Sequence, residues 1–567
     1  MKPYDARLTA FTPKLVTVLG EGYTFDRLRR DSIAGLTVAI VALPLAMALA
    51  IASGATPDKG LITAVIAGFL ISALGGSRVQ VGGPTGAFVV VVFNVIAQHG
   101  YDGLLLATLM AGVLLIVAGY SGLGSLVRFI PQPVVTGFTA GIAVIIASSQ
   151  VKDFLGLSMK TVPADFIPKW SAYFSALGSL QLATLAIGAG SLTLIIALRK
   201  WAPRLPGFLI AVVLASAIVA LLHVPVETIG SRFPELPTGL PAPALPEISF
   251  ARLQAVAPAA FTIAFLAGIE ALLSAVVADG MIGSRHRSNQ ELVGQGVANM
   301  ASAVFGGLPA TGAIARTATN IRAGAVTPIA GMLHAVFLLL FILFASKLMA
   351  FVPLAALAAI LFMVAWGMSE HHRFLQLLRM PNGDRSLLLL TFGLTIFIDL
   401  TVAIAVGVTL ASLLFMMRMS RTVEIASDSE GAASDAEEEE LDQRTALPAG
   451  VEVFRIDGPI FFGVANDLMD TLRRIGSAPK IIILRMRRVP LLDASGVAAM
   501  GDIVDHAEVL GIRVILSGVT AQPMEMLERV SLGPSSSRVL HSANFADAVR
   551  LASSLTVEPA STAPTLH

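Results

Sequence analysis

The sequence predicts an all-α polytopic membrane protein followed by a small soluble α/β domain. Three observations carry that prediction. The 567 residues are 55% hydrophobic and only 14% charged, with a mean hydropathy of +0.78, a composition found in lipid-embedded chains and not in soluble domains. Apolar runs recur from residue 33 to residue 417 with short polar joints. After Arg421 the chain turns acidic and then alternates between strand-like and helix-like patterns.

In order, the apolar runs lie at 33–53, 60–74, 84–97, 103–121, 131–150, 179–198, 206–223, 256–278, 292–305, 313–322, 326–346, 351–366, 386–399 and 400–417. A crossing needs about 20 apolar residues, so several of these fourteen elements are too short to span alone. The last two form one run from Ser386 to Met417, in which Asp399 is expected to make a turn between two short helices. Residues 368–385 read as a surface helix and turn. Two halves of seven elements invert the second half relative to the first, because an odd count reverses its direction through the membrane.

The third and tenth elements start inside glycine-led breaks, GGSRVQVGGPTGAF (75–88) and GGLPATGAIARTATN (306–320), 231 positions apart. IPQPVVTGFTAGI (130–142) similarly resembles VPLAALAAILFMV (352–364) at an offset of 222. A broken helix within a bilayer must bury its loose backbone in protein or against a water-filled cavity. Two breaks at matching places point to one central site between the halves. Helix starts turn free N–H groups and the positive dipole end toward a ligand, which favours an anion. The competing reading of the glycines is close helix packing.

The net charge of +1 gives no basic footprint, and no nucleic-acid partner is expected. The absence of cysteine excludes disulfides, thiol catalysis and cysteine metal sites. No nucleophile–base pair, metal cluster or nucleotide motif is visible, so no enzyme activity and no cofactor are expected. Residues 1–31 read as a polar cytoplasmic N-terminus without a signal peptide. Arg27, Arg29 and Arg30, then Arg199, Lys200 and Arg204, Arg285 and Arg287, Arg373, Arg379 and Arg385, and finally Arg418 and Arg421 all fall on one side of the fourteen-element count. That side is expected to be cytoplasmic, with both termini, and the proline-rich loop 224–250 outside. Residues 32–421 form the membrane domain, 422–448 an acidic linker, 449–556 the α/β domain and 557–567 a disordered tail. In the α/β domain VEVFRIDG, IFFGV, KIIILRM and RVILSGV read as strands. VANDLMDTLRRIG, ASGVAAMGDIVDHAEVLG and QPMEMLERVSL read as helices.

ALPLAMALAIASG, VGGPTGAF, DGMIGSRHRSNQELVGQGVANM, GGLPATGAIARTATNIRAGAVTP and the C-terminal domain together resemble the SulP (sulfate permease) family of anion transporters, almost end to end. The C-terminal part resembles a STAS domain. Within the family the chain is most similar to bacterial four-carbon dicarboxylate transporters of the DauA type. The resemblance implies a uracil-permease-like fold of seven plus seven inverted spans with core and gate domains. It also implies third and tenth helices facing each other across the substrate, a homodimer and a bacterial inner-membrane location.

The substrate-binding set follows from the breaks. Pro84, Thr85, Gly86 and Ala87 open the first helix; proline there needs no N–H partner and glycine permits close approach. Ala315, Arg316 and Thr317 open the second. A mid-membrane arginine costs roughly 2.5–3.5 kcal/mol, so Arg316 requires a partner: a substrate oxyanion, or Glu270, or a snorkelling path. Family members often carry a basic residue at this position. Leu45 and Leu49 align with the family's cavity wall. Glu270, a carboxylate inside an apolar run, is the ion-coupling candidate, with Ser274 one turn later. The pair can carry a proton or hold sodium; a sodium-dependent bicarbonate branch of the family has an acid and a hydroxyl in this helix, and the proton is favoured here. Asp279, Asn289, Glu291 and Gln295 are expected to cap and connect helices. LLDASG (491–496) resembles the loop phosphorylated in anti-sigma-factor antagonists, with Ser495 as the acceptor; Asp493 or Ser495 as a helix N-cap is the competing reading.

The expected function is proton-coupled symport of fumarate, succinate or sulfate by an elevator-like motion. A sodium-coupled bicarbonate symporter, a passive anion channel, and a membrane-bound STAS scaffold for a cytoplasmic regulatory protein stand as alternatives.

Overall fold

The structure is a computed structural model that describes residues 11–125, 131–159, 162–163, 165–203, 205–234, 239–398, 400–421, 423–427, 447–461 and 479–556. The chain divides into two compact units, Met1–Thr409 and Leu410–His567.

The first unit opens with α1 (Lys14–Gly20), α2 (Phe25–Ala52) and α3 (Pro57–Leu74). A two-residue strand, β1 (Gly82–Gly83), and a 3-10 turn at Gly86–Phe88 lead into α4 (Val89–Tyr120), which breaks at Gly100 with φ 70° and ψ −179°. Next come α5 (Gln132–Leu155), α6 (Phe166–Ala176), α7 (Leu182–Trp201), α8 (Gly207–Leu222) and one-turn α9 (Ile229–Arg232). The second half repeats the plan. It runs through α10 (Phe250–Ile282), α11 (Ser288–Val304), β2 (Thr311–Gly312), α12 (Ile314–Arg322) and α13 (Ile329–Met349). It continues through α14 (Leu354–Met368), α15 (His371–Leu378) and α16 (Asn382–Phe397) to α17 (Leu400–Ser420), within which the division at Thr409 falls.

All fourteen apolar runs fall on these helices, the third and fourth as the two limbs of α4. Among the described residues, eight helical stretches are long and apolar enough to cross a membrane. α12, with nine residues, is not. Proline sets matching starts in the two halves: Pro131 (φ −67°, ψ 140°) precedes α5 and Pro353 (φ −75°, ψ 136°) precedes α14. The helices sort into two packing groups. α2, α3 and α4 pack with α10, α11 and α13, whereas α5 packs with α14 and α16, and α7 with α8 and α14.

The first helix starts earlier than hydropathy predicts. α2 begins at Phe25, with the Thr24 hydroxyl accepting from the Arg27 N–H, so DRLRRD is helical and not tail. Asp31 is fully buried and accepts from the N–H groups of Val326 (2.9 Å) and Thr327 (3.2 Å) and from the Thr327 hydroxyl. The Tyr23 hydroxyl donates as well, at 3.1 Å, and a carboxylate supplied with four donors no longer behaves as the exposed charge its sequence neighbours suggest.

The second unit holds β3 (Glu424–Ser427), β4 (Val451–Asp457), β5 (Ile481–Arg488), α18 (Ala494–Val509), β6 (Arg513–Ser517), α19 (Ala521–Glu528), β7 (Leu540–Ser542) and α20 (Phe545–Thr556). The sheet order is β3-β4-β5-β6-β7, with β3 antiparallel to β4 and the other pairs parallel. β5 reads IIIL because both its faces are covered: Ile482 and Leu484 join a core with Val497 and Met500, and Ile481 and Ile483 join one with Ala548 and Ala552. Two details differ from expectation. β3 lies inside the stretch expected to be linker. β7 and α20 extend the fold past the last expected helix. Of IFFGV, Ile460 forms an isolated bridge to Leu492, and residues 462–464 lie outside the described residues. Arg204, Asp399, the acidic run 428–446, the expected helix 464–476 and the tail 557–567 lie outside the described residues.

Candidate anion-binding site between the two broken helices

The two glycine-led breaks meet. β1 pairs antiparallel with β2, placing Gly82 opposite Gly312 and Gly83 opposite Thr311. Gly83 has φ 149°, and a side chain there would run into the Arg316 guanidinium, so only glycine fits.

Irregular backbone at membrane depth needs partners, and both breaks have them. In the first, Glu291 accepts from the N–H groups of Gly76 (2.7 Å) and Ser77 (3.2 Å). Thr317 Oγ1 accepts from the Val81 N–H at 3.1 Å, and Asn320 donates to the Val79 carbonyl at 2.9 Å. In the second, Asn299 donates to the Ala310 carbonyl and accepts from the Ala310 N–H, both at 2.8 Å. Thr63 Oγ1 accepts from the Leu308 N–H at 2.6 Å.

Beside the paired breaks lies a cavity of about 410 Å³, lined by Leu45, Leu49, Pro84, Thr85, Gly86, Ala87, Glu270, Ala315 and Arg316, and by Phe138, Leu266 and Met368 from neighbouring helices. Neither helix start carries a side-chain cap. The first N–H groups of a helix have no acceptor within it, so Gly86 and Ala87 on one side and Ala315 and Arg316 on the other present donors without partners from their own helices. Toward one end the lining includes Arg199 and Glu370. A larger hollow of about 950 Å³, bounded by Phe154, Leu192, Ile196 and Phe362 with Arg199 and Lys200, contains neither break.

Three expected residues have unexpected partners. Arg316 is buried, and its guanidinium spans the pair of breaks, donating to the Gly82 carbonyl at 3.4 Å and to the Pro84 carbonyl. It forms no ion pair with Glu270 among the described residues, and it does not snorkel. Glu270 instead accepts from Thr85 Oγ1 at 2.7 Å, joining the eighth element to the third. Ser274 is fully buried, and its hydroxyl donates to Thr317 Oγ1 at 3.2 Å. Ser274 and Thr317 are thus bonded to each other, and neither is among the residues that line the cavity.

The connecting residues fall where helix termini meet. Asp279 accepts from the His286 N–H at 2.8 Å and lies 2.7 Å from its Nδ1. Gln295 donates to Glu291 at 2.8 Å. In the second unit Asp493 caps α18, accepting from the Gly496 N–H at 2.8 Å, while Ser495 is exposed in the first turn. Sequence patterns did not single out Asn299, Gln80 or His334. Gln80 donates to the Ala271 carbonyl at 3.0 Å; both ring nitrogens of fully buried His334 lack hydrogen-bond partners among the described residues. A lone histidine inside the apolar run 326–346 was the available signal.

The model of the sulfate permease family matches residues 28–391, which hold both breaks, Glu270 and the cavity. The chain belongs to this family. A STAS domain matches residues 445–548. Among curated relatives, a putative sulfate transporter of Bacillus subtilis, YvdB, is 42% identical over 515 residues, covering 90% of this chain and 95% of the relative. The bicarbonate transporter BicA of Picosynechococcus is 31% identical, covering 90% and 92%. The solved transmembrane domain of a cyanobacterial BicA is 32% identical with a TM-score of 0.60, covering 69% of this chain and 98% of that one. Murine Slc26a9, an anion transporter solved in an inward-facing state, shares the fold with a TM-score of 0.83 at 18% identity, over 98% and 96% of the two chains. The protein is thus a multi-pass anion transporter with a small α/β STAS domain, and its family is not enzymatic. YvdB and BicA are named for sulfate and bicarbonate; the sequence reading set sulfate beside fumarate and succinate, with bicarbonate as an alternative.

Proposed function

We propose that the chain imports a small oxyanion together with a proton. The observation that carries this reading is the 2.7 Å bond between Thr85 Oγ1 and Glu270 in the wall of the cavity where the two helix starts converge. An ionised Glu270 repels an entering anion and holds the Thr85 hydroxyl proton for itself. Protonation removes the repulsion and frees Thr85 to donate to the anion. Each ligand then favours the other, which is the thermodynamic requirement for symport. The charged groups around Glu270 are Arg316 on α12, Arg199 on α7 and Glu370 before α15. Both arginines favour the anion, and Ser274, which a sodium site would use, is turned toward Thr317.

The relatives' names favour sulfate or bicarbonate as the oxyanion, and the cavity leaves room for fumarate or succinate. The division into two helix groups suits an elevator motion of the group carrying both breaks against the α5–α7–α8–α14–α16 group. The account includes a bacterial inner-membrane location, cytoplasmic termini, a homodimer and a regulatory partner at the STAS domain.

Proteoliposome uptake of labelled sulfate, bicarbonate, fumarate and succinate, with imposed proton or sodium gradients, tests the reading. An inward proton gradient is expected to drive accumulation, and Glu270→Gln to abolish that acceleration. Uptake that never exceeds equilibrium, or an unchanged pH response in Glu270→Gln, would remove the symport reading.

A further inference from the structure

A second hollow of about 280 Å³ continues the line of the binding cavity. Three elements pass from one to the other in the same direction. On α2, Leu45 and Leu49 line the first and Ile51 the second; on the third element, Thr85–Ala87 line the first and Val89–Asn94 flank the second; on α5, Phe138 lines the first and Ser149 the second. The two hollows are therefore stacked end to end, at opposite ends of one path beside the breaks.

The second hollow is cationic. Lys152, Lys169 and Arg232 line it against a single carboxylate, Asp153. Arg232 is neutralised, by Asp153 at 3.0 Å and by Glu227 at 3.1 Å. Lys152 donates to the Met159 carbonyl at 3.2 Å. Lys169, on α6, is different: it is only 5% exposed, yet its ammonium has no hydrogen-bond or ion-pair partner among the described residues. The Phe93 ring lies 6.0 Å away, at the outer limit of a cation–π interaction, and Asp165, one turn earlier at the start of α6, attracts it without forming an ion pair. A buried ammonium without an acceptor is costly unless a ligand supplies one. The hollow has the volume of about nine waters, enough for a partly hydrated oxyanion.

We propose that this hollow is a second anion site, the entry vestibule on the face opposite Arg199 and Glu370, with Lys169 as its recognition residue. The class of ligand is the small oxyanion that the protein transports. The proposal rests on anion transport along this path, and it adds a station to that path. Lys169 holds the anion above Val89 until the helix starts at Thr85–Ala87 become reachable.

Two measurements test it. In sided transport of labelled sulfate and bicarbonate, using intact cells and inverted vesicles, Lys169→Met keeps the side chain's bulk and removes its charge. The Michaelis constant is expected to rise about tenfold from the Lys169 side, to stay unchanged from the Arg199 side, and to recover in Lys169→Arg. Equal effects from both sides, or none, would overturn the proposal. The chain has no cysteine, so Ser149→Cys places a single thiol in the hollow. It is expected to react faster with an anionic than with a cationic methanethiosulfonate applied outside, to be protected by sulfate, and to lose both properties when Lys169→Met is added. Identical rates for the two reagents, or no reaction from outside, would also overturn it. The labelling result stands even if neither anion is transported, so failure of this site and failure of the transport reading are separable.

Discussion

The two breaks have the same backbone plan and opposite chemistry. The first, Gly75–Pro84, mainly receives: its N–H groups and carbonyls are satisfied by side chains from the second half, namely Glu291, Arg316, Thr317 and Asn320. The second is held chiefly by Asn299 from α11 and Thr63 from α3. The guanidinium that bridges the breaks, that of Arg316, comes from the second half, while in the acid–hydroxyl pair Glu270–Thr85 the donor comes from the first. A structural repeat thus supplies two opposed helix starts, and divergence within it supplies charge and coupling.

If the first break depends on the second, substitutions on α12 must loosen residues 79–84. Arg316→Met is expected to have the largest effect. It strips the donors from two buried carbonyls, at about 1–3 kcal/mol each, and should lower the melting temperature in detergent and speed amide exchange at 79–83. Arg316→Lys should not restore stability, because one ammonium cannot reproduce the guanidinium fork. Gly83→Ala should come next, at about 1–3 kcal/mol, because it combines φ 149° with the encounter with Arg316. Thr317→Val leaves the Val81 N–H unmet and should cost about 1–2 kcal/mol, with faster exchange at Val81 and none at Leu308; Thr63→Val should give the converse pattern. Equal exchange at both breaks in every variant would erase the asymmetry. The smallest effect lies outside the pair: Asp493→Ala removes the α18 cap and should destabilise the STAS unit by about 1 kcal/mol without altering uptake.

Much of this was legible in the sequence because membrane helices are written in hydropathy and their interruptions in glycine and proline. The fourteen runs and both breaks follow from that alone. The partner of Arg316 was not legible, since it depends on the register of Gly82 against Gly312, 230 residues apart. The burial of Asp31, at the end of the stretch read as a polar N-terminus, was not legible because it is decided by donors from Val326 and Thr327, almost 300 residues away. Ser274 was placed with Glu270 by helical spacing, which fixes angular position and says nothing of which neighbour fills each side. β3 was hidden because its four residues adjoin an acidic run, and its pairing with β4 is the only mark of a strand.

The most direct measurement is anomalous diffraction from crystals soaked in selenate, or in a selenium or bromine analogue of whichever anion the liposome assay identifies. The account places the heavy atom between the backbone N–H groups of Gly86 and Ala87 and those of Ala315 and Arg316, with oxygens about 2.9 Å from the donors. A transported analogue whose peak lies away from both helix starts would contradict it.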